Sequence, residues 1–176
     1  KPPSTDTLAI ELIVAMDKEN GIGLNGTLPW KLSSDMSFFK EKTSTTKSPN
    51  KTNAVIMGRK TYDSIPEKFR PLPNRQNIIL SRNQHQSFTG CHTTTSLESA
   101  ISFIHNQNKT DHTPAIETLF IIGGGEIYKE AIEKNICTRL WITQINSNFN
   151  CTTHFPKIPQ QFNLTHTSES KTENDI

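Results

Sequence analysis

Leu119-Phe120-Ile121-Ile122-Gly123-Gly124-Gly125-Glu126-Ile127-Tyr128 is the stretch that decides the fold. Its apolar run lacks the alternation of a half-solvated strand, so it reads as a strand covered on both faces. The run breaks into three consecutive glycines, and a helical pattern follows over 125–134. A buried strand turning over glycines into a helix is the βα unit of an α/β protein. The free N–H groups at such a helix start suit a pyrophosphate. The spacing is not Gly-x-Gly-x-x-Gly, so the ordinary dinucleotide fingerprint is absent. A tight strand-to-helix turn uses glycines equally well, and this stretch alone leaves the ligand open.

Outward from it, the same signature recurs. Leu8 to Met16 is nearly continuous in apolar residues, and buried-strand runs also cover 53–57, 77–81, 118–122 and 139–145. Helical patterns alternate with them at 34–43, 59–64 and 96–106. The fold class expected is α/β with a mainly parallel sheet, whose right-handed crossovers bring the strand ends to one edge. The polar segments 43–52 and 106–114 read as surface insertions. A strand is expected at Phe162 to Ser168, and the polar turn after it reads as a hairpin whose second strand is missing. Residues 1–7 read as a flexible N-terminal segment, and 1–176 as one domain.

Two strand ends carry cations. Met57-Gly58-Arg59-Lys60-Thr61 joins a permissive glycine, two positive charges and a hydroxyl at a helix start, which suits a phosphate. Ile78-Ile79-Leu80-Ser81-Arg82 ends in a hydroxyl and a second arginine. Arginine is scarce here, 5 residues against 14 lysines, yet four of the five lie between 59 and 82. A chain that uses lysine for ordinary surface charge has placed arginine where a fork for phosphate or carboxylate is useful. Arg75 closes the proline-rich loop Ile65-Pro66-Glu67-Lys68-Phe69-Arg70-Pro71-Leu72-Pro73-Asn74. A solvated helix start and a plain connection account for these segments taken singly.

A glycine-rich loop, Asn20-Gly21-Ile22-Gly23-Leu24-Asn25-Gly26, leads to Leu28-Pro29-Trp30 and then to a helix with Ser33 or Ser34 as N-cap. Asp35 falls in its first turn, with Met36 beside it and Phe39 one turn on. An acid among apolar neighbours has its pKa raised toward the range of proton chemistry. A first-turn Asp that merely complements the helix dipole is the alternative.

The bulk properties exclude several classes. A net charge of +2 over 176 residues argues against nucleic acid or a membrane surface as partner. No run is long enough for a membrane helix, and the three cysteines lack zinc or disulfide spacing. No metal is expected, and the chain reads as reduced and cytoplasmic.

Taken in order, these segments resemble dihydrofolate reductase: Gly-Ile-Gly-x-x-Gly-x-Leu-Pro-Trp, the acid five residues after Trp30, Val55 to Thr61, Arg70-Pro71-Leu72-Pro73-x-Arg75-x-Asn77, Leu80-Ser81-Arg82 and Ile122-Gly123-Gly124. The match spans residues 8–156. Phe69 to Pro73 and Tyr128 to Ala131 are similar to the eukaryotic branch, and an Asp as the acid is similar to bacterial, plant and protist members. The resemblance implies one eight-stranded, mainly parallel twisted sheet with four helices, its last antiparallel strand missing here. It implies reduction of 7,8-dihydrofolate to tetrahydrofolate, with NADPH delivering hydride to C6 and a proton added at N5. This reaction supports one-carbon metabolism, and its site takes folates and antifolates.

By that resemblance Asp35 orients the pterin and promotes protonation of N5 through ordered water, with Thr143 supporting its carboxylate. Ile13, Val14, Met36, Phe39, Ile65, Leu72 and Ile122 form the apolar walls, Ser64 lies at the rim, and Arg75 forks the α-carboxylate of the substrate's glutamate tail. Arg59, Lys60, Thr61, Ser81 and Arg82 hold NADPH and select its 2′-phosphate. Ala15, Ile22, Gly23, Leu28, Gly58 and Leu80 also line the cofactor. Gly123-Gly124, a cis peptide in the family, lets Gly124, Gly125, Glu126 and Ile127 meet the pyrophosphate, with Tyr128 beside them. Residues 17–28 form a lid over the nicotinamide. Thr152 stands where members usually carry an Asp that biases the lid. The chain is expected to be monomeric, or else the reductase half of a bifunctional enzyme with thymidylate synthase. A non-catalytic nucleotide- or RNA-binding homologue and a related pterin or flavin-precursor reductase are the competing readings.

Overall fold

The computed structural model describes residues 8–83, 85–110 and 114–176. Six strands form one all-parallel sheet: β1 (Ala9–Met16), β3 (Lys51–Gly58), β4 (Arg75–Leu80), β5 (Cys91–Thr94), β6 (Ala115–Gly123) and β7 (Arg139–Gln144). Their spatial order is β5-β4-β3-β6-β1-β7, and β2 (Gly21–Gly23) pairs antiparallel with β8 (Thr153–His154) in a separate ribbon. The eight strands are therefore split between two sheets. Among the described residues four α-helices and one 3-10 turn (Glu67–Phe69) complete the α/β domain: α1 (Ser33–Ser44), α2 (Arg59–Ser64), α3 (Leu97–Lys109) and α4 (Gly125–Glu133).

The apolar runs form the central strands because both faces are covered. On one face Leu12, Val14, Met16, Leu119 and Ile121 pack with Leu97, Ala100 and Ile104 of α3 and Ile127, Tyr128 and Ala131 of α4. On the other, Ile13, Val55, Met57, Ile79 and Phe120 pack with Tyr62 of α2 and Phe39 of α1. Since all six strands run the same way, β1, β3, β4 and β6 end at one edge. The chain lays β3, β4 and β5 outward and then returns β6 between β3 and β1, which opens a crevice at that edge.

Several expected boundaries shift. The segment 43–52 is pinned, not loose: Asn53 Nδ2 donates to the Thr43 and Thr45 carbonyls, and Glu117 accepts from the Lys47 and Ser48 amides. Helix α3 runs on to Lys109, three residues past its expected end. Residues 162–168 form no strand, because no neighbouring strand offers them a ladder; Phe162 packs on the core while Leu164 is 86 % exposed. Neither Ser33 nor Ser34 caps α1, whose N-cap position is Leu32. Residues 1–7, expected to be flexible, lie outside the described residues.

Candidate active site

The end of β3 and the end of β6 meet closely at the sheet edge. A Cβ placed on Gly58 would stand 3.3 Å from Ile127 Cδ1, so a larger residue would separate the two turns. The Gly123–Gly124 peptide is cis, and Gly123 has φ +128, a conformation that favours glycine. Thr61 Oγ1 lies over this turn, 3.4 Å from where a Cβ on Gly124 would be. Arg59 and Lys60 are exposed at the start of α2, Arg59 in a loose pair with Asp63 at 3.5 Å. Arg82, after β4, approaches Glu126 on α4 at 3.8 Å. Three cations, a hydroxyl and the N-terminus of α4 thus ring one crevice.

Other residues expected at the cofactor do different work. Ser81 is buried and its hydroxyl is engaged, donating to Gln86 and accepting from the Asn83 amide. Leu80 packs on the main core. Ile127 and Tyr128 point their side chains into that core, so only backbone of Ile127 can face a ligand. Tyr128 donates its hydroxyl to the Ile13 carbonyl at 2.8 Å and its amide to the Gly124 carbonyl. It ties α4 to β1, with its hydroxyl beside the Gly123 turn. Burial, and then the charge of Asp35, push its phenol up.

Across β1 lies the acid. Asp35 is half-buried in the first turn of α1, and Thr143 of β7 hydrogen-bonds its carboxylate. Burial raises the Asp35 pKa, and the Thr143 hydroxyl opposes the rise. The apolar wall assembles from Ile13, Phe39, Ile65, Leu72 and Ile122, which share one cluster. Two expected members do not join it. Val14 faces the opposite side of the sheet, as alternation next to Ile13 requires, and Met36, beside Asp35 on α1, is 58 % exposed and belongs to no core cluster. Ser64 is exposed at the end of α2, its hydroxyl donating to the Thr61 carbonyl.

Arg75 opens β4 and is only 8 % exposed. Its Nε donates to the Pro73 carbonyl and one Nη to Thr43 Oγ1, both at 2.9 Å; among the described residues its other Nη makes no hydrogen bond. Thr43, in the last turn of α1, is completely buried and donates in turn to the Phe39 carbonyl. The guanidinium is thereby held edge-on with half of its fork available. The residue that holds it was not legible as functional.

The loop 17–28 contains β2 and so forms one side of the β2–β8 ribbon. Leu28 is 62 % exposed, Ala15 and Ile22 are half-buried, and Gly23 lies in the ribbon. The Asn25 amide donates to Thr152 Oγ1 at 2.9 Å, and the Thr152 amide donates to the Gly23 carbonyl. A neutral hydroxyl thus ties down the loop at the position where members of the resembled family usually carry an Asp. At the start of α1, Glu173 supplies the missing cap. Its carboxylate accepts from the Ser33 and Ser34 amides and the Ser33 hydroxyl, and these bonds, the Ser33 amide first, hold its pKa low.

A crevice rimmed by Arg59, Lys60 and Arg82 beside an acid in an apolar wall suits an α/β oxidoreductase, a class that brings a phosphate-bearing cofactor and an organic substrate to one sheet edge. The sequence model described as dihydrofolate reductase matches residues 9–176. The chain is 42 % identical to dihydrofolate reductase of Drosophila melanogaster over 88 % of its own length and 83 % of the relative's. It is 45 % identical to a putative bifunctional dihydrofolate reductase-thymidylate synthase of Oryza sativa, over 78 % of this chain but 28 % of that protein. Schistosoma mansoni dihydrofolate reductase superposes with a TM-score of 0.79 at 36 % identity, covering 96 % of this chain and 93 % of that one. The chain belongs to the dihydrofolate reductase family. It is an oxidoreductase that reduces 7,8-dihydrofolate to tetrahydrofolate, in a family that uses NADPH.

Among the described residues no helix is long and apolar enough to cross a membrane, and no group of His, Cys, Asp or Glu is placed to hold a metal ion.

Proposed function

We propose that the pocket between α1, β1 and β7 binds the pterin with Asp35 as its recognition and proton-handling group, and that the crevice between β3, β4 and α4 binds NADPH. The observation that carries this reading is the half-buried Asp35 carboxylate, hydrogen-bonded by Thr143 and with its pKa raised by burial. Its two oxygens match the 2-amino and ring N–H donors of a pterin, which fixes the ring against the apolar wall. Arg75 offers its remaining Nη to the substrate's α-carboxylate. The indole Nε1 of buried Trp30 has no hydrogen-bond partner among the described residues, and it is a donor suited to an ordered water relaying the proton toward N5.

What supports a dinucleotide phosphate here is the donor set: Arg59, Lys60 and Arg82 stand exposed at the rim, and Thr61 Oγ1 lies over the bare backbone of Gly124. When bound, NADPH supplies the hydride to C6. Arg59, Lys60, Thr61 and Arg82 would hold its phosphates, and the backbone of Gly124, Gly125, Glu126 and Ile127 its pyrophosphate. We place the reaction in the cytoplasm.

The test is NADPH oxidation with dihydrofolate. Asp35→Asn keeps the shape and loses the ionisable group, and its rate should fall by at least about 100-fold, the scale of a lost proton-transfer residue. Equal rates for both proteins would remove Asp35 from the mechanism. The bifunctional rice relative supports a second reading, in which this reductase is joined to thymidylate synthase. Sequencing the transcript past Ile176 decides it: an in-frame synthase domain supports the fusion, and a stop codon ends it.

A further inference from the structure

Asp17 is completely buried at the end of β1, and neither substrate nor cofactor binding as described makes use of it. Its Oδ1 accepts from the Glu19 amide at 2.9 Å and the Gly21 amide at 2.7 Å. Its Oδ2 accepts from the Phe149 amide at 3.1 Å and the Cys151 thiol at 3.5 Å. One oxygen therefore holds the start of the loop 17–28, and the other holds the facing segment 149–151. Burial pushes the carboxyl pKa up, but the amides of Phe149, Gly21 and Glu19 more than offset this and leave it below the ordinary value. Backbone donors fix the geometry further, since Asp17 N donates to the Gly21 carbonyl and Gln144 Nε2 to that of Asp17.

The clamp is close-fitting. A Cβ on Gly21 would lie 2.6 Å from Cys151 Cβ and 2.7 Å from Asp17 Oδ2. From there the β2–β8 ribbon reaches the start of α4: at Gly125 a Cβ would meet Thr153 Cγ2 at 2.7 Å and Ile22 Cδ1 at 3.7 Å. Contacts thus run from Asp17 through Gly21, Ile22 and Thr153 to the glycine turn at the cofactor crevice.

We propose that Asp17 is a positioning residue for the cofactor: its carboxylate locks the loop 17–28 and the segment 149–151 into one rigid unit that forms a wall of the crevice at Gly125. This rests on the assignment of that crevice to NADPH. The unit meets α4 at Gly125 and, through Phe149, packs on Trp30, but it makes no hydrogen bond to Asp35 or Arg75, so its loosening weakens cofactor binding more than folate binding.

Asp17→Asn tests it, because an amide must turn its NH2 toward one of the two donor pairs. Fluorescence titration of the variant should show the Kd for NADPH raised about tenfold, the scale of one or two buried hydrogen bonds, while the Kd for folate without cofactor changes less than about twofold. Cys151→Ala keeps all three amide donors and should leave both constants within about twofold. Gly21→Ala keeps the carboxylate but drives a methyl between Asp17 Oδ2 and Cys151; it should reproduce the split and serves if Asp17→Asn does not fold. Unchanged NADPH binding in Asp17→Asn or Gly21→Ala, or equal weakening of both ligands with a lowered melting temperature, overturns the proposal. Failure of the wild type to bind NADPH would instead overturn the assignment of the crevice.

Discussion

At the scale of single residues, Thr43 does what its neighbourhood in sequence conceals. It stands at the head of a polar segment, yet it is completely buried and accepts a hydrogen bond from Arg75. Thr43→Val preserves volume and leaves a buried guanidinium N–H without its acceptor, a loss of about 1–3 kcal/mol. The KM for dihydrofolate should therefore rise about tenfold with kcat little changed, and steady-state kinetics would show it; a pterin lacking the glutamate tail should be turned over as by the wild type. Arg75 was legible because arginine is rare in this lysine-rich chain. Asp35 was legible from Trp30 and the glycine loop before it. Thr43 and Asp17 were not, since their roles depend on segments 32 and more than 130 residues away in sequence.

At the scale of elements, the two caps illustrate what can be read locally. Helix α3 is capped by Ser96, whose Oγ accepts from the Ser99 amide at 3.1 Å. Ser96→Ala should cost about 1 kcal/mol and lower the melting temperature by about 2–4 °C for a domain of this size. Ser96 follows closely on Thr94, whose carbonyl accepts from the Ser81 amide, so activity is compared at saturating NADPH, where it should stay intact; thermal melts beside that assay would check both. Helix α1 carries serines in the right place and ignores them as caps, because Glu173 brings a charged acceptor to the same amides. The central strands announced themselves as apolar runs. Strand β5, Cys91-His92-Thr93-Thr94, is a half-buried edge strand and so had no reason to be apolar. The two-stranded ribbon is too short and too rich in glycine to show a period. In the segment 162–168 an apolar pattern exists without a partner strand, and pattern alone does not make a ladder.

For the molecule as a whole, the proposed acid lowers stability. Burial raises the Asp35 pKa above its ordinary value of 3.8, so between those two values the native state holds more protons than the unfolded chain. Stability contributed by this group therefore falls as pH rises through that window. Asp35→Asn should unfold at higher urea concentration than the wild type at pH 7, with the difference shrinking as pH falls below the raised value; a deficit at pH 7 would refute this. Asp17 has the opposite sign, stabilising above 3.8 and losing its contribution as pH falls through its lowered pKa. The strand order carries a consequence for how the chain is made. Strand β1 emerges first, but its neighbours in the sheet are β6 and β7. At about 5–20 residues per second, the roughly 100 residues between β1 and β6 take about 5–20 s to synthesise. During that interval Leu12 to Met16 is an apolar strand with both edges open, the kind of segment that pairs with a second nascent chain unless a chaperone holds it. The ribosome therefore delivers the first strand of this sheet long before the strands that protect it.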